Sequence, residues 1–205
     1  MSFSADLMTL IGPFVAFSFS MSATPGPNNM MLTAAGANHG FRRTLPHMLG
    51  ISVGCMVLMG GVALGLGALF QRWPLLQTAL KVVGSLYLLW LAWKIASAPP
   101  PSRAVGSAVP KPFTFWQAVI FQFANPKVWV MAISGISSFS LTGDAFISSA
   151  MVLILLMGLT NLPSIAIWAG FGVAIGRLLK TPRHWRGFNL VMGALTGCCV
   201  FFILL

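Results

Sequence analysis

Acidic residues are nearly missing from this chain: two in 205, Asp6 and Asp144. Charge of either sign is scarce, at 7% of residues against 57% hydrophobic. So few charges cannot cover a water-soluble domain of this length, which excludes a soluble globular fold. Cysteine is sparse as well. Cys55, Cys198 and Cys199 all lie in apolar runs, with neither the even count of a disulfide framework nor the spacing of a zinc site. Each is expected to be a small buried hydrophobe. No Lys or Arg precedes the first apolar run, where Asp6 stands instead. That is not the charge pattern of a cleaved signal peptide, and the N-terminus is expected to be retained. The alternating ten-residue pattern of an outer-membrane barrel is missing too.

What remains is apolar and aromatic: sixteen Phe, seven Trp and a mean hydropathy of +0.88. An integral membrane protein follows. A spanning helix needs roughly 20 apolar residues, and six segments qualify, at about 8–37, 46–70, 74–96, 113–139, 145–176 and 187–205. The expected fold is all-α and polytopic, with six transmembrane helices in one domain over 1–205. The net charge of +10 would suit a nucleic-acid binder if it were clustered. Here the basic residues stand singly or in small groups between apolar runs, so they read as orientation signals, and no nucleic acid is expected as partner. Arg42, Arg43, Lys94, Arg103, Lys111, Arg177, Lys180, Arg183 and Arg186 all fall in the loops after the first, third and fifth segments. Arg72, Lys81 and both aspartates fall on the other side. Positive charge favours the cytoplasm, which predicts that both termini face outward.

The stretch 97–112, rich in Pro, Ser and Ala, divides the chain into a half at about 1–96 and a half at about 113–205. An offset of 99 positions places Pro112-Phe113 on Pro13-Phe14, Pro126 on Pro27 and Gly135 on Gly36. An odd number of spans per half points the halves in opposite directions, as in the inverted repeats of transporters.

The first segment of each half is interrupted at a matching place. Residues 24–29 read TPGPNN inside thirty-two residues, Leu7 to Asn38, that carry no formal charge. The second half carries Asn125-Pro126-Lys127. Proline lacks a backbone donor and clashes with the preceding turn, so Pro25, Pro27 and Pro126 are expected to break their helices. Pro163, in Asn161-Leu162-Pro163-Ser164, is expected to make a similar break. Freed backbone groups in hydrocarbon cost several kcal/mol unless protein or water satisfies them. A break therefore predicts a polar cavity. The half-helix starts near Asn28 and Lys127 present positive dipole ends that suit a carboxylate. Thr24, Gly26, Asn28, Asn29, Asn125, Lys127 and Asn161 are the candidate binding residues. Lys127 has fifteen uncharged residues before it and sixteen after. At mid-membrane depth a lysine costs on the order of 3 kcal/mol, so it either snorkels to an interface or lines the cavity. Recurrent small residues, such as Gly50 with Gly54 and Gly172 with Gly176, predict close helix packing and leave a homodimer open.

TPGPNNMML followed by ANHGFRRTLPHMLGISVG, GSLYLLWLAWKIA in the third segment and FQFANPKVWVMAISGISSF in the fourth resemble the lysine exporter (LysE/RhtB) family. The resemblance covers essentially the whole chain. It is closest in look to the branch that exports cysteine with O-acetylserine, or homoserine with threonine. It implies a six-helix inner-membrane protein that moves amino acids outward on the proton gradient. No cofactor and no enzymatic activity are expected. The substrate expected is a small neutral amino acid: Lys127 and the helix starts serve its carboxylate, while no acid at membrane depth balances a second positive charge. Asp6, Asp144, His39 and His47 are the titratable candidates for proton coupling. A cation or metal-ion exporter or channel is the alternative, and the shortage of carboxylate, His and Cys ligands counts against it.

Overall fold

The structure of the protein, a computed structural model, describes residues 3–66, 68, 72–100 and 113–201. Most of the connection between the halves, 101–112 with Arg103, Lys111 and Pro112, lies outside the described residues, as do the side chains of Asp6 and Lys81.

The described residues form eight α-helices and one short 3-10 turn, with no strand among them. In chain order these are α1 Phe3–Ala23, α2 Pro27–His39, α3 Phe41–Ala63, α4 Pro74–Ala96, α5 Phe115–Ala124, α6 Pro126–Phe139, the turn Gly143–Ala145, α7 Phe146–Leu178 and α8 Pro182–Cys198. Four of the helices begin at a proline: α2, α4, α6 and α8. There proline's fixed φ suits the first turn and its missing donor is not needed. A capping box between Thr114 and Gln117 opens α5, and the Thr181 hydroxyl caps α8.

Helix occupies all six expected segments, and the first and fourth each consist of two helices, α1 with α2 and α5 with α6. By length and composition, α3 and the stretch Gly143–Leu178 are each sufficient to cross a membrane, and α5 with α6 qualify together as one pair bent by 73°. The apolar stretches Met8–Ala23 and Val82–Ala96 are shorter. Many large apolar side chains on the outer faces are exposed, among them Trp93, Ile120, Leu155 and Leu159. An apolar perimeter of this extent suits lipid rather than water.

The expectation of a break at Pro163 is corrected. α7 runs uninterrupted for 33 residues through Pro163. Side-chain hydroxyls stitch the helix on either side of the proline: Thr160 donates to the Leu156 carbonyl at 2.8 Å and Ser164 to the Thr160 carbonyl at 2.6 Å. α7 is also clamped between neighbours, since it packs along α1, α2 and α3. Local rebonding and packing of this kind hold a proline within a membrane helix.

The packing crosses between the halves. The long helix of the first half, α3, lies against α5 and α6; that of the second half, α7, lies against α1 and α2. The two long helices also touch each other, and α4 pairs with α8. Around them sits a core of Phe14, Leu32, Ile51, Leu58, Leu153, Met157 and Ile165. Glycine permits the closest approaches. A Cβ on Gly36 would collide with the Ala169 backbone, and one on Gly172 with the backbone of Thr33, so α2 and α7 meet main chain to main chain.

Candidate functional site

The end of α1 raises an accounting problem: its last carbonyls have no helical donor, and Pro25 and Pro27 supply no amide hydrogen. Side chains close every one of these gaps. Asn29 donates from Nδ2 to the carbonyls of Ser22 at 2.9 Å and Thr24 at 2.7 Å. The Trp168 indole donates to the Ala23 carbonyl at 3.0 Å. The Thr24 hydroxyl turns back onto the Met21 carbonyl at 3.0 Å. Lys127 completes the set. Its Nζ donates to the Thr24 carbonyl at 2.6 Å, to Thr24 Oγ1 at 2.8 Å and to the Pro25 carbonyl at 3.4 Å.

The second break is closed in a parallel manner. α5 stops at Ala124, and Asn125 caps α6 by accepting from the Lys127 amide at 3.2 Å. The Trp129 indole donates to the Phe123 carbonyl at 2.8 Å. The start of α2 differs, because Gly26 offers no side chain to cap it.

Between the breaks lies one small cavity of about 20 Å³, room for a water molecule or so. Its walls include Gly26, Pro27, Asn28, Asn29, Asn125, Lys127 and Asn161 together with Ser22 and Cys55. Of the candidate residues, Thr24 lies beside it and is held by Lys127, and Pro25 contributes a carbonyl to the same lysine. Pro126 starts α6, and neither Pro126 nor Pro163 lines the cavity. Asn161 belongs to the site in spite of its unbroken helix. It accepts from Ser52 of α3 at 2.8 Å and donates to Ser22 of α1 at 2.9 Å, tying three helices at a point 3% exposed. Below it Ser18 and Thr160 share a short hydroxyl contact.

Gln122 is a polar residue that the sequence reading did not single out. It is fully buried in α5 and forms a reciprocal amide pair with Asn28: Asn28 Nδ2 donates to Gln122 Oε1 at 2.8 Å, and Gln122 Nε2 donates back at 3.3 Å. Its Nε2 also bonds the Ala118 carbonyl at 2.7 Å. The available signal was a glutamine inside the apolar run Phe121-Gln122-Phe123, three residues before the break.

Lys127 is the charged side chain in the cavity wall. No carboxylate lies there among the described residues: Asp144 is exposed on the turn before α7. Among the described residues no group of three His, Cys, Asp or Glu side chains gathers to hold a metal. His47 is buried in α3, its ring 5.0 Å from that of Phe113, and neither nitrogen has a hydrogen-bond partner among the described residues. His39 ends α2, beyond the first apolar segment. Burial, and then the charge of Arg43, lower its pKa below the ordinary 6.5.

Known proteins are similar to this chain in sequence. The model of the LysE type translocator family matches residues 19–204. The chain belongs to that family. Among its relatives, the "Cysteine/O-acetylserine efflux protein" of Salmonella typhimurium (strain LT2) is 31% identical over 193 residues, which is 93% of this chain and 95% of the relative. The protein of the same name from Escherichia coli (strain K12) is 28% identical over 194 residues, with the same coverage. No solved structure matches this translocator. Family and composition together make it a membrane transporter and not an enzyme.

Proposed function

We propose that this translocator exports small neutral amino acids or their derivatives across the bacterial inner membrane, through the cleft between its two broken helices. The observation that carries the reading is the wall of that cleft, which combines one ammonium, from Lys127, with the amides of Asn28, Asn29, Asn125 and Asn161 and no carboxylate. An α-amino acid needs a cation or amide donors for its carboxylate, and Lys127 with the uncapped start of α2 supplies them. It needs oxygen acceptors for its ammonium, and main-chain carbonyls at the break supply those. A dibasic substrate would bring a further positive charge beside Lys127 without a partner. The names of the relatives, cysteine/O-acetylserine efflux proteins, agree with a small, neutral, polar cargo.

The transport cycle follows from the same features. At about 20 Å³ the cavity has room for a water molecule or so, and passage of an amino acid must widen it. Two inverted three-helix halves would accomplish this by rocking. The crossed packing, in which α3 holds the broken helix of the second half and α7 that of the first, supports such halves. The arrangement of six spans with both termini periplasmic is part of the proposal and rests on the bias of Lys and Arg. So is coupling to protons, for which Asp6, Asp144, His39 and His47 are the titratable candidates.

The test is efflux from proteoliposomes loaded in turn with cysteine, O-acetylserine, homoserine, threonine and lysine, with and without an imposed pH gradient. The neutral compounds should leave, lysine should stay, and the gradient should accelerate efflux. Vesicles that retain all five would overturn the export reading, and efflux indifferent to the gradient would remove the proton.

A further inference from the structure

The substrate's positive end needs particular oxygens at the break, since no acid lies at the site among the described residues. An ammonium group is already bound there, and it belongs to the protein. Lys127 Nζ has three donors and meets three oxygens, the Thr24 carbonyl, Thr24 Oγ1 and the Pro25 carbonyl, at 2.6, 2.8 and 3.4 Å. The cradle closes the C-terminal end of α1, where the helix dipole is negative. Thr24 and Pro25 are exposed, and the cradle stands at the edge of the cavity that Lys127 lines.

The lysine reaches this place over Gly26. A Cβ there would stand 3.0 Å from Lys127 Cδ and 3.3 Å from Nζ. Gly26 itself is extended, with φ −177° and ψ 177°, a conformation open to any residue. Its bare Cα therefore matters for the passage of the lysine stem rather than for the turn. Lys127 belongs to the first turn of α6, the end of a helix that repels a cation, and its stem carries the charge away to an end that attracts one.

We propose that the Thr24–Pro25 oxygen cradle is the subsite for the substrate's ammonium group, and that Lys127 fills it as a tethered surrogate while no substrate is bound. This inference rests on the export reading and extends it. The arriving ammonium displaces the lysine. The freed Lys127 then pairs with the substrate carboxylate beside the uncapped start of α2. Charge balances throughout: one ammonium occupies the cradle in both states, and the second is neutralised by the carboxylate that arrives with it. A zwitterion satisfies this exchange; a carboxylate alone leaves the cradle with Lys127, and an amine alone has to compete with it.

The experiment uses the full-length protein in lipid nanodiscs and cysteamine, an ammonium compound without a carboxylate. Removal of the tethered competitor in Lys127→Met should tighten cysteamine binding, read by calorimetry, at least about tenfold, the scale of a hydrogen bond to a charged group. Adding Thr24→Val, which deletes one cradle oxygen, should abolish the gain. Equal or weaker binding to Lys127→Met overturns the proposal. Should that variant fail to fold, the native protein carries the test. Nitrogen-15 NMR of the native protein carrying labelled lysine should show the Lys127 ammonium signal shift when cysteamine is added, and a signal that stays constant overturns it. Counterflow of labelled cysteine through the native protein separates the two readings. Flux without the gain in amine binding sinks the cradle alone; a gain without flux of any neutral amino acid sinks the export reading alone.

Discussion

Lys127 Nζ lies 2.6 Å from the carbonyl oxygen of Thr24, 103 residues earlier in the chain. The bond joins the two helix breaks into one structure. The lysine departs from the start of a half-helix in the second half and ends on the last turn of a half-helix in the first. A charge that looks costly in an apolar segment is thereby held by three oxygens, two of them main-chain carbonyls just past the end of α1.

Loss of that lysine should therefore disable transport. Lys127→Ala is expected to lower export of labelled cysteine from proteoliposomes at least about tenfold, because it removes both the cation for a carboxylate and a charged hydrogen bond at the break. Lys127→Arg keeps the charge but presents a flat fork to a cradle shaped around a point charge, so it should restore only part of the rate. Full activity in Lys127→Ala would exclude the lysine from the site.

Two glycines separate site effects from packing effects. Gly26→Ala sets a methyl against the movable end of Lys127, so unfolding in detergent should change by less than about 1 kcal/mol while substrate affinity changes. Gly36→Ala drives a methyl into the Ala169 backbone, 3.0 Å from the carbonyl carbon, and main chain has no rotamer to yield. That variant should lose about 1–3 kcal/mol of stability. The reverse ranking in denaturant titrations would contradict the close contact of α2 with α7.

Asn28 and Gln122 should act as a unit. Each is the amide partner of the other across two helices, so replacing both by alanine should cost less than the sum of the single replacements. A coupling energy near 1 kcal/mol is expected from a double-mutant cycle on the KM for export. Additive effects would mean that the pair does not persist in the working protein.

Asn161 should matter for stability in spite of its unbroken helix. Asn161→Leu strands the hydroxyls of Ser22 and Ser52 in a buried position and should cost about 1–3 kcal/mol, measured by unfolding in detergent. Combining it with Ser22→Ala and Ser52→Ala removes the stranded groups and should recover part of the loss.

The membrane character, the all-helical fold and the places where α1 and α5 stop were all determined by the sequence alone. Composition settles burial in lipid because too few charges exist to cover a soluble surface. Pro25, Pro27 and Pro126 act through the missing donor and the clash with the preceding turn, which are local effects. The family was legible too, because the stretches that resemble it, the breaks among them, are contiguous in the chain. Pro163 shows the limit of such reasoning. The same residue chemistry stays helical in α7, where the hydroxyls of Thr160 and Ser164 and the flanking helices hold the rod together. Tertiary structure alone decided that Lys127 is bound to Thr24 and Pro25, that Gln122 pairs with Asn28, and that Lys127 and Asn28 border one small cavity. These are matters of which groups meet across helices, and their partners lie some hundred residues apart. No periodicity or propensity within a segment specifies an acceptor on another, so only the packed helices select it.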